Sequence, residues 1–365
     1  MFNDQLNSHK TLKQLDLIKV QQLQNALQKH PRIQFSHLPT RLEHAPRLGE
    51  KLGINLWIKR DDCTGVSFGG NKARQLEFYL GEAVEQGANC LLITGAVQSN
   101  FVRIAAAFAN KLGMEAHLQL EDRVKSDDPL YRQSGSVWID QLMGAKLYSY
   151  HEGEDESGAD KALHDIAEGL KSKGKKPYII HLGAEHAPLG ALGYSVAAQE
   201  LLEDFGREDL SPDAIFVGSG SGATHAGLLL GLRASGSNIP VWGTCVRRNK
   251  DIQKARIEGQ TSMVAELLSI ENPVSPDDVI TTDISFAPGY GEMGDLTIEG
   301  LQLAAELEGL ILDPVYTAKV LGGLIGEVRA GSIKPGSTVV FIHTGGTPGV
   351  FAYQNKVTDF LATKL

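Results

Sequence analysis

The chain has 365 residues, 42% of them hydrophobic and 22% charged, with a formal net charge of −9. That length exceeds one small core and predicts two domains or one large α/β unit. The acidic balance, with no basic block beyond 171–176, excludes nucleic acid and anionic membrane as expected partners.

Asp4, Lys10 and Asp16 interrupt any apolar signal core, and no apolar run reaches the ~20 residues of a membrane span. Cys63, Cys90 and Cys245 form neither a disulfide framework nor a CxxC metal pair, so a reduced, cytoplasmic setting is expected. Residues 11–29 predict an amphipathic helix closed by Pro31, followed by an extended arm at 37–42 and a short helix ending at Gly53. Strands are predicted at 56–60, 90–94, 115–120, 145–150 and 178–181, and again at 214–217, 240–246 and 338–343. Helices are predicted between them at 72–86, 100–112, 130–143, 161–173, 190–204, 225–234, 297–308 and near 315–329, with one more at the C-terminus. Residues 151–160 read as a solvated acidic loop. The alternation predicts βαβ units and parallel sheets.

Five stretches carry chemistry. Gly69-Gly70-Asn71-Lys72 opens a helix whose Ala73, Leu76, Leu80, Ala83 and Val84 share one face. The positive end of the helix dipole disfavours the ammonium form of Lys72, and a partly neutral lysine is the amine a Schiff base needs. A buried strand runs into Gly218 to Gly227 and then a helix, a cradle for a phosphate with Ser221 and Thr224 as extra donors. Gly218, Gly220 and Ala223 also fit a dinucleotide fingerprint, and Arg247-Arg248 leave an NADP oxidoreductase open. Ser99 and Asn100 stand at a strand end and helix start suited to a carboxylate, or to plain N-capping. Tyr290 lies between glycines, and Thr344 follows the last strand. His181 and Glu185-His186 have a spacing off the helical zinc patterns, so no metal is expected.

A lysine amine, a phosphate cradle, a carboxylate site and a strand-end hydroxyl together meet the needs of pyridoxal 5′-phosphate and an amino acid. Ile58 to Asp62, Gly69 to Lys72, Gln98-Ser99-Asn100, Gly190 to Tyr194, Gly218 to Gly227, Pro288 to Gly291, Asp313 to Thr317 and His343 to Gly346 carry the resemblance. From about residue 35 onward the chain resembles the D-cysteine desulfhydrase and 1-aminocyclopropane-1-carboxylate deaminase family of tryptophan synthase β-like, fold-type II enzymes. The resemblance implies a two-domain, open twisted parallel-sheet α/β fold with the cofactor between domains, and a homodimer. The small domain is expected at 75–183, and the large one at 1–74 plus 184–365.

It also implies roles for individual residues. Lys72 matches the cofactor-linked lysine that moves the Cα proton. Asn100 matches the partner of the cofactor's 3′-oxygen, and Ser99 the substrate carboxylate site. Ser221, Gly222, Ala223 and Thr224 match the phosphate loop, Tyr290 an active-site tyrosine, and Thr344 the partner of the pyridine nitrogen. Substrate contacts are expected from Ser99, Asn100, Phe101, Tyr290 and Thr317. The related deaminases carry glutamate and leucine where this chain has Thr317 and Thr344, which favours α,β-elimination from D-cysteine over ring opening. Phe101 replaces a histidine or glutamine of the family and borders the substrate site. The stretches 61–65 and 119–123 also resemble L-cysteate sulfo-lyases, which leaves a sulfonate leaving group open.

Overall fold

The computed structural model describes residues 17–183 and 185–362. Ten strands are described: β1 Leu42–His44, β2 Asn55–Lys59, β3 Cys90–Ala96, β4 Glu115–Glu121, β5 Lys146–Tyr150, β6 Pro177–Ile180, β7 Ala214–Ser219, β8 Val241–Cys245, β9 Ile280–Thr282 and β10 Thr338–Ile342. They form a six-stranded sheet in the order β1-β2-β10-β7-β8-β9 and a four-stranded sheet in the order β5-β4-β3-β6. Every pairing is parallel except β1 with β2 at the edge. Helices cover both faces of such sheets, so inner strands lose their polar alternation. Each residue of β3 is accordingly buried, as are five of the six in β7.

The predicted elements fall where the apolar runs place them, with four informative differences. The helix expected at 11–29 is described over Leu17–Leu27, and residues 11–16 lie outside the described residues. The helix expected at 130–143 is two pieces, Pro129–Gln133 and Gly135–Leu142. Gly135 takes φ +62° at the break, and a side chain there would lie 2.4 Å from the Gln98 amide oxygen. That amide fills the gap: its nitrogen donates to the carbonyls of Tyr131 and Ser134, and its oxygen accepts from the Ser136 N–H. The acidic stretch 151–160 yields a helix from Glu156, whose start Asp155 caps through the Gly158 N–H. Finally, a 19-residue helix, Lys250–Leu268, has no counterpart among the predicted elements. Its inner face interleaves Gln253, Gln260 and Thr261 with Ile257 and Val264, which blurs the apolar stripe.

The helix Asn71–Glu85 packs against the helices Asn100–Lys111 and Leu192–Arg207 and is anchored by a buried ionic knot. Arg74 forks onto both carboxylate oxygens of Asp61 (2.8 and 3.0 Å) and reaches Glu200 at 2.9 Å. Tyr194 donates to the same Asp61 at 2.5 Å. Breaking such a pair from one side costs roughly 3–5 kcal/mol, because it strands a buried charge. The first turn of this helix, with Lys72, is therefore held in a fixed place.

Candidate active site

One cavity gathers Lys72, Ser99, Asn100, Phe101, Ser221, Gly222, Thr224, Tyr290 and Thr344 from separate stretches of chain. Ala223 opens the helix Ala223–Ala234, and its methyl joins the core behind the cavity. Thr317 is a correction: it does not reach the cavity. Its hydroxyl is spent on the buried Asp313, which it meets at 2.8 Å and whose N–H it also accepts at 2.7 Å. Its neighbour Tyr316 lines the cavity instead.

Lys72 Nζ lies 4.6 Å from the centre of the Phe101 ring and 3.2 Å from Gln75 Oε1. Burial lowers its amine to about 8 from 10.5. The position of Lys72 in the first helical turn acts in the same direction. Among the described residues no carboxylate offsets the burial, so an appreciable share of the amine is neutral near pH 7.

The glycine loop is built to receive an anion. The Gly220 carbonyl is held by Arg248 (3.2 Å) and Gln253 (3.1 Å), and the Ser221 carbonyl by Arg256 and Gln260 (2.8 Å each). In planar trans peptides the N–H groups of Ser221 and Gly222 face the opposite way, toward the cavity that these residues line. They join the free N–H groups of the helix start. Gly222 sits at φ +104°, where a side chain would fall 2.0 Å from Gln260 Oε1. Thr224 accepts hydrogen bonds from Asn71 Nδ2 and Gln75 Nε2, both at 2.8 Å. With both acceptor positions filled, its own proton is left for a ligand. Asn71 and Gln75 were missed in the sequence, although their i, i+4 spacing places both on the face that carries the lysine turn.

At the opposite wall Ser99 caps the helix Asn100–Lys111, accepting from the Val102 N–H at 3.3 Å, so the capping role is present. Asn100 gives its oxygen to Arg103 at 2.5 Å, which leaves its amide N–H groups to face a ligand. Arg103 also grips the carbonyls of Ser67 and Gly69, tying Asn100 to the turn before Lys72. Tyr290 and Tyr316 share a hydrogen bond of 2.7 Å. Burial raises both phenols, so they stay protonated at neutral pH.

The cavity is also cationic. Arg123, Arg247 and Arg256 line it, against the single carboxylate of Glu156. Glu156 meets Arg247 at 2.7 Å, Arg248 at 2.5 Å and Arg256 at 3.7 Å. Burial would raise its carboxyl, but the three guanidiniums outweigh that and hold it below the usual range. These contacts join residues some ninety positions apart, and no local pattern announces them.

Residues 33–345 match the family model described as "Pyridoxal-phosphate dependent enzyme". The chain is 37% identical over 331 residues to a "D-cysteine desulfhydrase" of Salmonella typhimurium, covering 91% of this chain and 98% of that one. It is equally 37% identical over 336 residues to a "1-aminocyclopropane-1-carboxylate deaminase" of Burkholderia vietnamiensis, covering 91% and 99%. A crystal structure described as an "ACC deaminase homologue" superposes with a TM-score of 0.82 at 33% identity, over 93% of this chain and 98% of that one. A fungal L-serine ammonia-lyase of Rhizomucor miehei, at 21% identity and a TM-score of 0.61, shares the fold.

Proposed function

The chain belongs to the family of pyridoxal-phosphate dependent enzymes, and on that footing we propose that it is a lyase converting D-cysteine to pyruvate, ammonia and hydrogen sulfide by α,β-elimination. The oxidoreductase reading of Gly218 to Ala223 falls with that membership. The observation that carries the proposal is the pairing, in one cavity, of a lysine lowered to about 8 with an anion cradle whose Gly220 and Ser221 carbonyls are turned outward.

The residues fit the cofactor. Ser221, Gly222, Ala223 and Thr224 would hold its phosphate, with Asn71 and Gln75 bracing Thr224. Asn100 would donate to the ring hydroxyl, Thr344 would meet the ring nitrogen, and Tyr290 would border the ring. When bound, the cofactor supplies the electron sink that makes loss of an α-proton feasible. Lys72, partly neutral, takes that proton from Cα, while Phe101 over its Nζ keeps water away. The Ser99 hydroxyl and the helix start beside it hold the substrate carboxylate. Tyr290, kept protonated by burial and hydrogen-bonded to Tyr316, offers a proton to the departing sulfur. Thr344 brings no carboxylate to the ring nitrogen, which suits departure of a good leaving group over cyclopropane ring opening. The four-stranded sheet belongs to a small domain at 75–183, and the flanking segments form the large one. The working unit is a cytoplasmic homodimer.

One feature favours a second reading. Arg123, Arg247 and Arg256 line the cavity beside one lining carboxylate, Glu156, with Glu121 pairing Arg123 and Glu154 also pairing Arg247 from outside it, a setting for a fully charged β-substituent such as the sulfonate of cysteate. A panel of D-cysteine, L-cysteine, L-cysteate and D-serine tests both readings, with pyruvate, sulfide and sulfite measured separately. Pyruvate with sulfide from D-cysteine is expected, and sulfite release abolished by Arg247→Gln would establish the second reading. A cofactor-loaded protein that forms pyruvate from none of the four would refute the lyase proposal.

A further inference from the structure

Outside the cofactor cavity, side chains from three places in the chain converge on one point. Asp160 belongs to the helix Glu156–Lys171, His181 follows β6 directly, and His186 lies five positions later. His181 Nδ1 stands 2.6 Å from Asp160 Oδ1, and His186 Nε2 stands 3.5 Å from Asp160 Oδ2. The three donor atoms all lie within 4.8 Å of one another. The two imidazole rings are stacked with centroids 4.0 Å apart and planes 15° from parallel, so their nitrogen edges meet the same carboxylate side by side.

We propose that Asp160, His181 and His186 form a binding site for a divalent first-row transition metal ion of the zinc type. A tetrahedral ion with bonds of about 2.0–2.2 Å sets neighbouring ligand atoms roughly 3.4 Å apart. The His186–Asp160 separation of 3.5 Å already matches that edge. The His181–Asp160 hydrogen bond opens by somewhat under 1 Å as the ion takes the place of its proton. Two imidazoles and one carboxylate select zinc, nickel or cobalt over magnesium or calcium, which prefer oxygen donors. The fourth position is left to water or to Glu185, whose carboxylate lies 3.6 Å from His186 Nε2. The neighbouring His164 is outside the set, because its Nδ1 is taken up by the Asp160 carbonyl at 3.0 Å. His181 and His186 both border an open surface hollow, which gives the ion a route from solvent. The site also touches the chemistry: Leu182, next to His181, lines the cofactor cavity, and its carbonyl accepts from Arg256.

Zinc uptake by the tag-free, cofactor-loaded full chain, stripped beforehand with a chelator, tests the site by calorimetry. One zinc per chain is expected, with affinity weakened at least ~100-fold in His181→Ala and in His186→Ala, since loss of an outer partner alone costs 10–100-fold. The cofactor absorbance band and the circular dichroism spectrum should stay as in the wild type, and His164→Ala should bind within a few-fold. His186→Ala carries the test alone should His181→Ala fail to fold. No uptake at micromolar zinc, or uptake unchanged in His186→Ala, overturns the site; the second result would place the ion on the cofactor phosphate or elsewhere.

Discussion

Replacing Lys72 by methionine removes the amine but keeps its length and apolar stem, and the structure gives the size and sign of the effect. Burial lowers this lysine to about 8 from 10.5. The unfolded chain therefore holds its proton more tightly than the folded chain. Folding is penalised below pH 8, and the penalty is relieved as pH rises toward 10.5. A shift of 2.5 units corresponds to about 3 kcal/mol at pH 7, an upper figure for a side chain that keeps some contact with solvent. By pH 9.5 the same linkage leaves about 1.4 kcal/mol. The cofactor-free Lys72→Met protein should thus be more stable than the cofactor-free wild type at pH 7, and the gain should shrink by roughly half at pH 9.5. Urea unfolding of both proteins at the two pH values measures it. Competitive acetylation of Lys72, read by peptide mass spectrometry, checks the cause and should show a midpoint near 8. A stability gain independent of pH, or a labelling midpoint near 10.5, would refute the reasoning and with it the idea of a poised amine.

Gly222→Ala forces a methyl into φ +104° and against the Gln260 amide, a strain of about 1–3 kcal/mol. Cofactor affinity, followed by fluorescence titration, should fall roughly 5- to 150-fold. Thr344→Glu sets a carboxylate at the position proposed to meet the ring nitrogen, and should slow pyruvate release from D-cysteine; unchanged kinetics would argue against that role. Asp140 is buried beneath Arg103 with both oxygens lacking a hydrogen bond, and burial raises it to about 7 against the pull of Arg103. A raised carboxyl costs stability as pH climbs from 3.8 to about 7, so Asp140→Asn should stabilise the protein at pH 8 by more than at pH 5. Paired thermal melts at the two values read this out.

The strands were legible because their physics is local. A run such as Leu91-Leu92-Ile93 must be covered on both faces, and the glycines or small polar residues that follow it mark where a parallel sheet exposes its ends. The lysine turn and the glycine loop were legible for the same reason, since each pairs a special backbone with a helix start inside a dozen residues. What stayed hidden depends on side chains that meet only after folding. The helix Lys250–Leu268 looks polar in sequence, because it buries amides that satisfy the loop carbonyls instead of an apolar stripe. Thr317 misled for the opposite reason. Beside Tyr316 it resembles a ligand contact, yet Asp313 needs its hydroxyl and N–H to stay buried, and caps the following helix with them.

Glu156 joins both lessons. From the sequence it is one acid in a solvated loop, but the Asp155 cap turns it into a helix start that reaches three arginines from the other sheet's connections. Those arginines serve two masters. Arg248 and Arg256 hold the loop carbonyls that orient the cradle, and Arg247 has no loop bond and answers mainly to Glu154 and Glu156. Removing Glu156 therefore does more than free a charge. It leaves Arg247 lining the cavity with Glu154 alone and takes from Arg256 the carboxylate it meets, and cuts an ion-pair link between the two sheets that costs little in the open but more when half buried. Glu156→Gln should accordingly tighten inhibition by a simple dianion such as sulfate while loosening the protein's thermal stability. If the arginines belong to the scaffold alone, stability falls but inhibition by sulfate stays unchanged.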